Sequence, residues 1–201
     1  MTQIWAVQSL GIDPATGKEV FLKRDGTRTF IWDATDKMPV GDQTAILKGV
    51  FSSNLTYKGF MFNINMGYQY GGQKYNQTLV DKIENVDLLH SNADERVLTE
   101  RWKAPGDHVA FKSLVADGGN LNQFTKTTSR FVQDNNYLEA SSITVGYTFP
   151  SNLAWVKKMR LSTPRFFITQ NNVFRFANIK TERGTGYPFS RSFSFGLSTT
   201  F

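Results

Sequence analysis

The side chains that most often carry catalysis or bind metals are scarce in this chain. It has no Cys, which excludes thiolate zinc sites, Fe–S clusters and a Cys nucleophile. Its two His, His90 and His108, have no visible Ser or carboxylate pairing. The acidic residues Asp81, Glu84 and Asp87 lack the alternating ligand spacing of a calcium loop. We therefore predict that the chain is not an enzyme and binds no metal or cofactor.

Positive charge is concentrated in the last third of the chain. The formal net charge is +6, and residues 137–201 hold 8 basic and 2 acidic side chains. A nucleic-acid interface needs a dense basic patch with interleaved aromatic residues. Here the basic residues form two loose groups: Lys157, Lys158, Arg160 and Arg165, then Arg175, Lys180, Arg183 and Arg191. We interpret them as loop charge that flanks strands, and we predict no nucleic-acid partner.

Four stretches alternate between apolar and small polar residues, a pattern that indicates β-strands. They are residues 49–57, 60–70, 137–149 and 193–201. The first two are separated only by Lys58-Gly59, which predicts a hairpin. In the first three stretches the side chains assigned to the apolar face include Tyr57, Phe60, Phe62, Ile64, Tyr68, Tyr70, Tyr147 and Phe149.

Residues 71–136 interrupt this pattern with a long polar segment. A short helix is predicted over 78–85, and Trp102 with Pro105-Gly106-Asp107 follows later. Trp102 could contact a sugar ring or a partner protein, but such a residue more often packs within its own loop, the interpretation we favour. A loop of this length argues against a compact soluble domain. It is ordinary for an extracellular loop of a transmembrane barrel.

The composition of the polar strand faces favours a membrane protein. Solvent-facing strands usually carry Lys, Glu and Arg. The stretches 49–57, 60–70, 141–149 and 193–201 contain no charged residue. Their lengths suit a tilted crossing of about 9–11 residues, with a hydrated lumen on one side and lipid on the other. We therefore predict an all-β fold, an antiparallel transmembrane β-barrel segment.

The aromatic residues sort into two belts if Phe201 lies at the periplasmic rim. Tyr57, Phe60 and Phe149 then share that rim, and Tyr68, Tyr70 and Phe193 share the opposite one. About six strands are predicted: 4–10, 47–57, 60–70, 137–149, 160–174 and 193–201. Since the smallest membrane barrels have about eight strands, the chain is predicted to be part of a longer protein. Isolated, it should form an open curved sheet.

Five segments in order resemble the C-terminal end of SusC/RagA-family TonB-linked outer-membrane transporters. They are residues 11–27 (GIDPATGKEVFLKRDGT), 47–85, 96–107 (RVLTERWKAPGD), 128–150 and 182–201. The resemblance implies a plugged barrel of about 22 strands. It also implies import of oligosaccharides, or in some members peptides, with energy from the TonB complex and with a SusD-like surface lipoprotein as partner. The implied location is the outer membrane of a Gram-negative bacterium.

The 201 residues show no signal peptide, plug or TonB box. Residues 1–201 are therefore expected to be the C-terminal part of the receptor barrel, with 71–136 as an extracellular loop. Such a fragment could not carry out TonB-coupled transport alone. The substrate cannot be read from these residues, because selectivity would lie mostly in the plug, the outer loops and the lipoprotein.

The end of the chain resembles the signal that the barrel-assembly machinery reads. A terminal Phe follows apolar residues at alternate positions, and the members are Phe193, Phe195, Leu197 and Phe201. A second expected contact is with outer-membrane lipid and lipopolysaccharide, whose phosphates could meet basic residues near the outer rim. Those residues are Arg175, Lys180, Arg183 and Arg191.

Two alternative functions predict features that differ from those of a transporter segment. A soluble β-rich carbohydrate-binding or adhesive module would carry charged residues on the solvent faces of its strands, and these are absent. An outer-membrane enzyme would need a catalytic group at a strand tip, and no such constellation is visible. The soluble module is the leading alternative.

Overall fold

A computed structural model describes residues 2–86, 93–114, 125–179 and 191–199. The chain divides into two compact units. Unit 1 comprises Met1–Ala45, Gly71–Asn135 and Asn178–Phe189, and unit 2 comprises Ile46–Tyr70, Asn136–Ala177 and Ser190–Phe201. No helix in the described ranges is long and apolar enough to cross a membrane.

Strands dominate unit 2, as the alternation predicts, and shorter strands occur in unit 1. Numbered in chain order, they are β1 (Gln3–Ile12), β2 (Glu19–Leu22), β3 (Arg28–Thr29), β4 (Lys37–Asp42), β5 (Leu47–Tyr57), β6 (Phe60–Tyr70), β7 (Gln73–Tyr75), β8 (Val132–Asp134), β9 (Tyr137–Thr148), β10 (Arg165–Ala177) and β11 (Phe193–Ser198). The helices are α1 (Gln77–Leu79), α2 (Arg96–Thr99) and α3 (Ala154–Lys158), with a π-helical turn at Val80–Glu84.

Unit 2 is an antiparallel five-stranded sheet in the order β11-β10-β9-β6-β5. Strands β5 and β6 pair along their whole length, from Leu47 opposite Tyr70 to Tyr57 opposite Phe60. The turn residues Lys58 and Gly59 have φ of 46° and 87°, as a type I′ hairpin requires. A side chain at position 59 would lie 2.8 Å from the Thr148 carbonyl oxygen, so the turn also needs glycine for space.

A β-bulge interrupts the pairing of β9 with β10. Asn172 and Val173 lie opposite Ser141, and Asn172 has φ of 52°. On the other side of β9, the Ser141 hydroxyl donates to the carbonyl oxygen of Asn65 at 3.1 Å. Phe166 and Ile168 before the bulge and Phe174 and Phe176 after it lie on the same face of β10.

The predicted six-stranded sheet is wrong in one respect. The segment 4–10 lies in β1, but β1 belongs to a separate sheet of unit 1 with the order β3-β2-β1-β4. Its side chains Ile4, Ala6 and Val7 are buried within unit 1. The five-stranded sheet of unit 2 therefore holds the other five predicted strands. The strand expected at 160–174 begins only at Arg165, directly after the buried Pro164.

The segment 71–136, expected to be a long loop, has an ordered core. Leu79, Val80, Ile83, Val97, Phe111 and Phe131 form a buried apolar cluster. The helix predicted over 78–85 is present as α1 and the π-helical turn, with the Asn76 side chain accepting from the Leu79 amide at 3.1 Å. At the base, β7 pairs with β8, and the Asn135 amide donates to the Gly72 carbonyl at 2.9 Å. Its extracellular position stays a prediction.

A buried ion-pair network joins parts of unit 1 that are distant in sequence. Arg130 donates to the carboxylate of Glu19 at 3.0 Å and to that of Glu84 at 2.6 Å. Burial alone would lower the pKa of Arg130, but the two carboxylates hold it above its ordinary value. The Glu84 side chain is fully buried, so removal of Arg130 would leave only Lys112, 3.9 Å away, to pair with its charge.

Candidate functional site

The register of the five-stranded sheet aligns apolar side chains on one face, here called the apolar face. One row across the five strands is Tyr57, Phe60, Tyr147, Phe166 and Leu197. The next row is Leu55, Phe62, Val145, Ile168 and Phe195. Most of these side chains are exposed, with Leu55 at 62% and Phe195 at 71%. An apolar surface this broad is of the kind that protein or lipid normally covers.

The side chains predicted to share a face do so. Phe60, Phe62, Ile64, Tyr68 and Tyr70 alternate along β6 on the apolar face, and Tyr147 joins them from β9. Their contact with lipid stays a prediction. Phe193, which was expected on the rim of Tyr68 and Tyr70, lies opposite Gln170 and in register with Ile64. Phe193 therefore lies nearer the middle of the sheet, measured along the strands, than those two tyrosines.

A run of ring contacts marks the hairpin end of the apolar face. The Phe60 and Tyr147 ring centroids are 4.7 Å apart, and those of Tyr147 and Phe149 are 5.0 Å apart. Phe149 in turn contacts Trp155 of α3 at 5.2 Å. Tyr57, Phe60 and Phe149 thus lie at one end of the sheet together with Trp155, and their role as a membrane belt stays a prediction.

The opposite face, here called the polar face, carries amide and hydroxyl groups. One row is Asn54, Asn63, Thr144, Thr169 and Ser194, and the next is Ser52, Asn65, Ser142 and Asn171. Asn65 is the centre of a hydrogen-bond network. It accepts from the Ser52 hydroxyl at 2.7 Å and donates to Asn63 and Ser142, each at 3.0 Å. These bonds satisfy the polar groups without charged side chains.

Charged residues enter the polar face nearer the end at which β6 finishes. Arg175 of β10 donates to Glu139 of β9 at 2.8 Å, and its guanidinium lies 4.7 Å from the Tyr137 ring centroid. Arg175 is therefore paired within the sheet, and its expected contact with lipopolysaccharide phosphates stays a prediction. The pair was missed because only the register of β9 and β10 brings these two opposite charges together. Lys180 and Arg183 lie outside the described residues.

The proposed assembly signal lies on the edge strand β11. Phe193, Phe195 and Leu197 point to the apolar face and are 58%, 71% and 74% exposed. Phe201 lies outside the described residues. Recognition by the barrel-assembly machinery stays a prediction.

Trp102 packs within unit 1. Its indole nitrogen donates to the Pro14 carbonyl oxygen at 2.8 Å, and the ring lies against Gly17. The Gly106 amide donates to the same carbonyl at 2.9 Å. The structure thus shows the packing role that the sequence favoured, while contact of Trp102 with a substrate or partner stays a prediction.

These contacts join two sequence motifs that the chain separates widely. The IDPATG segment closes on itself, with the Thr16 hydroxyl donating to the Asp13 carboxylate at 2.5 Å. The Asp107 carboxylate accepts from the amides of Lys103 and Ala104 at 2.9 Å each. These hydrogen bonds hold the Asp13 and Asp107 pKa values below the ordinary one. Both aspartates therefore shape loops, and Trp102 holds the loops together.

No group of three or more potential metal-binding side chains occurs in the part of the chain that the structure describes. The polar face offers hydrogen-bond donors and acceptors, and its charged residues are few. Such a surface can bind polar ligands or another polar protein surface.

Comparison with known proteins gives a likeness of fold. No protein-family model and no curated protein match the chain. A structure of the RagAB peptide transporter superposes on 99% of the chain with a TM-score of 0.71 and 19% sequence identity. The RagAB peptide importer matches over 99% of the chain in its open-open state (TM-score 0.71, 18% identity) and its closed-closed state (0.70, 19%).

The chain spans only 22–23% of the length of those proteins. The likeness nevertheless extends over 99% of this chain. This agrees with the resemblance drawn from the five sequence segments. The chain has the all-β fold of one segment of the RagAB transporter, and its expected likeness to transporters of the SusC/RagA type is confirmed at the level of fold.

Proposed function

We propose that this chain forms part of the barrel wall of a TonB-dependent transporter in the outer membrane of a Gram-negative bacterium. The observation that carries the proposal is the five-stranded meander with one apolar and one polar face. In a barrel wall the apolar face meets lipid and the polar face lines a hydrated lumen. The edges β5 and β11 would pair with further strands of a longer protein, because unpaired backbone groups are not tolerated in lipid.

The exposed apolar rows argue against a soluble carbohydrate-binding or adhesive module. Burying one large apolar side chain is worth about 1.5–3 kcal/mol. Five strands that each expose several such residues would therefore lose much stability and solubility in water. A barrel wall in lipid carries no such cost.

The proposed cargo is an oligosaccharide or a peptide, taken up together with a SusD-like surface lipoprotein. Amide and hydroxyl groups such as those of Asn54, Asn63 and Thr144 form hydrogen bonds with either class of cargo. The likeness to the RagAB peptide transporter supports including peptides. Energy would come from the TonB complex through parts of the protein outside the 201 residues.

The first test is the mass and location of the native protein. An antibody against residues 96–114 would be applied to isolated outer membranes. A membrane band several times heavier than 22.8 kDa is expected. A species of 22.8 kDa that is monomeric in water without detergent would overturn the proposal and favour the soluble module.

The second test uses two neighbouring positions as a matched pair. Leu55 lies on the apolar face and Asn54 on the polar face, and the chain contributes no other thiol. In native membranes, Leu55→Cys should react with a lipid-soluble maleimide and resist a charged one. Asn54→Cys should show the reverse preference. Equal labelling of both thiols by the charged reagent would refute the membrane position of this sheet.

A further inference from the structure

The hairpin end of the five-stranded sheet carries an amphipathic helix beside the aromatic run. Helix α3 has the buried Val156 on its inner side, while Leu153, Trp155 and Met159 are exposed. Trp155 contacts Phe149, which continues the alternation of the apolar face beyond Tyr147. The exposed apolar side chains of the helix therefore extend the apolar face past the last strand residues.

Basic side chains surround this extension. Lys157, Lys158 and Arg160 are exposed on and just after α3. Lys58 of the hairpin turn places its ammonium 5.2 Å from the Tyr57 ring centroid. Residues 46–70 and 140–177 contain no Asp or Glu, so no acidic side chain of these segments neutralises the cluster. Aromatic rings flanked by cations are the side chains that favour the boundary between acyl chains and headgroups.

The end of α3 retains a charged residue at a position that favours glycine. Arg160 has φ of 54°, and the Leu161 amide donates back to the Val156 carbonyl at 3.0 Å. This is the left-handed residue of a helix C-terminus, where glycine avoids a steric cost of about 1 kcal/mol. Arg160 therefore adds a fourth cation to this end of the sheet from a backbone position that favours glycine.

We infer that α3 and the Lys58 turn form an interfacial anchor that binds the phosphate headgroups of anionic phospholipids. This rests on the proposed function, in which the apolar face contacts lipid. Phospholipid is the occupant because the short turn belongs at the periplasmic rim, away from the long segments. The phosphates neutralise the positive charge of Lys58, Lys157, Lys158 and Arg160. The rings of Trp155 and Phe149 lie at the boundary between acyl chains and headgroups.

The test measures which lipid contacts Trp155. The full-length protein is reconstituted into phosphatidylcholine vesicles in which one lipid in five is phosphatidylglycerol. Either lipid is supplied with brominated acyl chains, which quench tryptophan fluorescence on contact. Subtracting the signal of Trp155→Phe isolates Trp155 from all other tryptophans, including the three others within these 201 residues. We expect stronger quenching per molecule by brominated phosphatidylglycerol, and loss of this preference at high salt.

Two double variants distinguish lipid binding at this anchor from a general effect of positive charge on the protein. Lys157→Gln with Lys158→Gln should reduce the preference for the anionic lipid by about fivefold per charge removed. The control pair, Lys48→Gln with Arg175→Gln, removes two charges at the opposite end of the same sheet and should leave it unchanged. Arg160→Gly should weaken the preference for the anionic lipid but leave the free energy of unfolding equal or higher. A purely structural role of Arg160 would not produce this combination.

The outcomes distinguish the anchor from the proposed function. Equal quenching of Trp155 by both lipids would overturn the anchor and leave the membrane position standing. Equal effects of the two double variants would also overturn it. Absence of quenching by either lipid, with labelling of Leu55→Cys by charged maleimide, would overturn the proposed function as well.

Discussion

Gly17 occupies a position in which an added side chain has no room. Its φ is 68°, and a methyl group built there lies 2.6 Å from Cδ2 and 2.7 Å from Cε3 of Trp102. Gly17→Ala therefore incurs a backbone cost of about 1–2 kcal/mol. Displacing the Trp102 ring adds about 1–3 kcal/mol of overpacking. The contact between the two motif loops should weaken by about 2–5 kcal/mol in all.

Cleavage by trypsin after Lys103 reports on that contact, because Lys103 is exposed in the loop that Trp102 anchors. When opening is rapid compared with cleavage, the cleavage rate follows the population of the open loop. Gly17→Ala should then raise the rate at least about thirtyfold. Gly26→Ala is the matched control, since Gly26 has φ of 85° but no atom within 4 Å of an added methyl group.

A double-mutant cycle isolates the steric part of the effect. In a Trp102→Ala background, Gly17→Ala should cost only the backbone contribution of about 1–2 kcal/mol. An unchanged cleavage rate in Gly17→Ala would refute the packing of Trp102 against Gly17. So would an equal acceleration in Gly26→Ala.

Three further perturbations test the ion-pair network, a buried phenol and the polar face. Glu84→Ala should destabilise unit 1 by about 3–5 kcal/mol in urea unfolding because it leaves Arg130 partly unpaired, whereas Glu139→Gln at a half-exposed pair should cost less than about 1 kcal/mol. Burial raises the pKa of Tyr75 to about 12 from 10.0, so its contribution to stability is complete below pH 10 and is lost as the pH rises toward 12; Tyr75→Phe should remove this alkaline loss in a pH series of urea midpoints. Asn65→Ala removes three hydrogen bonds and should destabilise the five-stranded sheet by about 1–3 kcal/mol. In the proposed barrel this should appear as a lower melting temperature, and an unchanged melting temperature would contradict the network.

Alternation was enough to predict β5, β6 and β9 nearly to the residue, because one apolar face leaves a period-two pattern. The same pattern failed for β1, whose segment 4–10 was placed in the wrong sheet. Alternation identifies a strand and its faces but does not name its neighbour in the sheet. Partner choice depends on contacts far apart in sequence, and β1 pairs with β2 and β4 through such contacts.

The composition of the polar face was predicted from the sequence, but some contacts between its side chains were not. The uncharged polar face followed directly from Asn, Ser and Thr at alternate positions. The Glu139–Arg175 pair did not, because its members meet only when β9 and β10 are in register across a bulge. Likewise, no spacing rule connects Gly17 with Trp102. In the sequence, Gly17 is recognisable only as a turn residue. The Trp102 ring, which occupies the space where a side chain at position 17 would lie, comes from another segment.

The pairing at the base of segment 71–136 has a consequence for folding and for evolutionary change. The Asn135 amide and the Gly72 carbonyl are 2.9 Å apart, and Gln73 pairs with Asp134. Because these residues adjoin Tyr70 and Tyr137 in the chain, this short ladder holds together the ends of β6 and β9. The ladder closes the long connection within the insertion itself. Lengthening the insertion then adds only slowly to the entropic cost of that closure. Insertions and deletions beyond the ladder should therefore leave the register of β6 and β9 intact, so the five-stranded sheet can remain constant while the inserted segment diversifies.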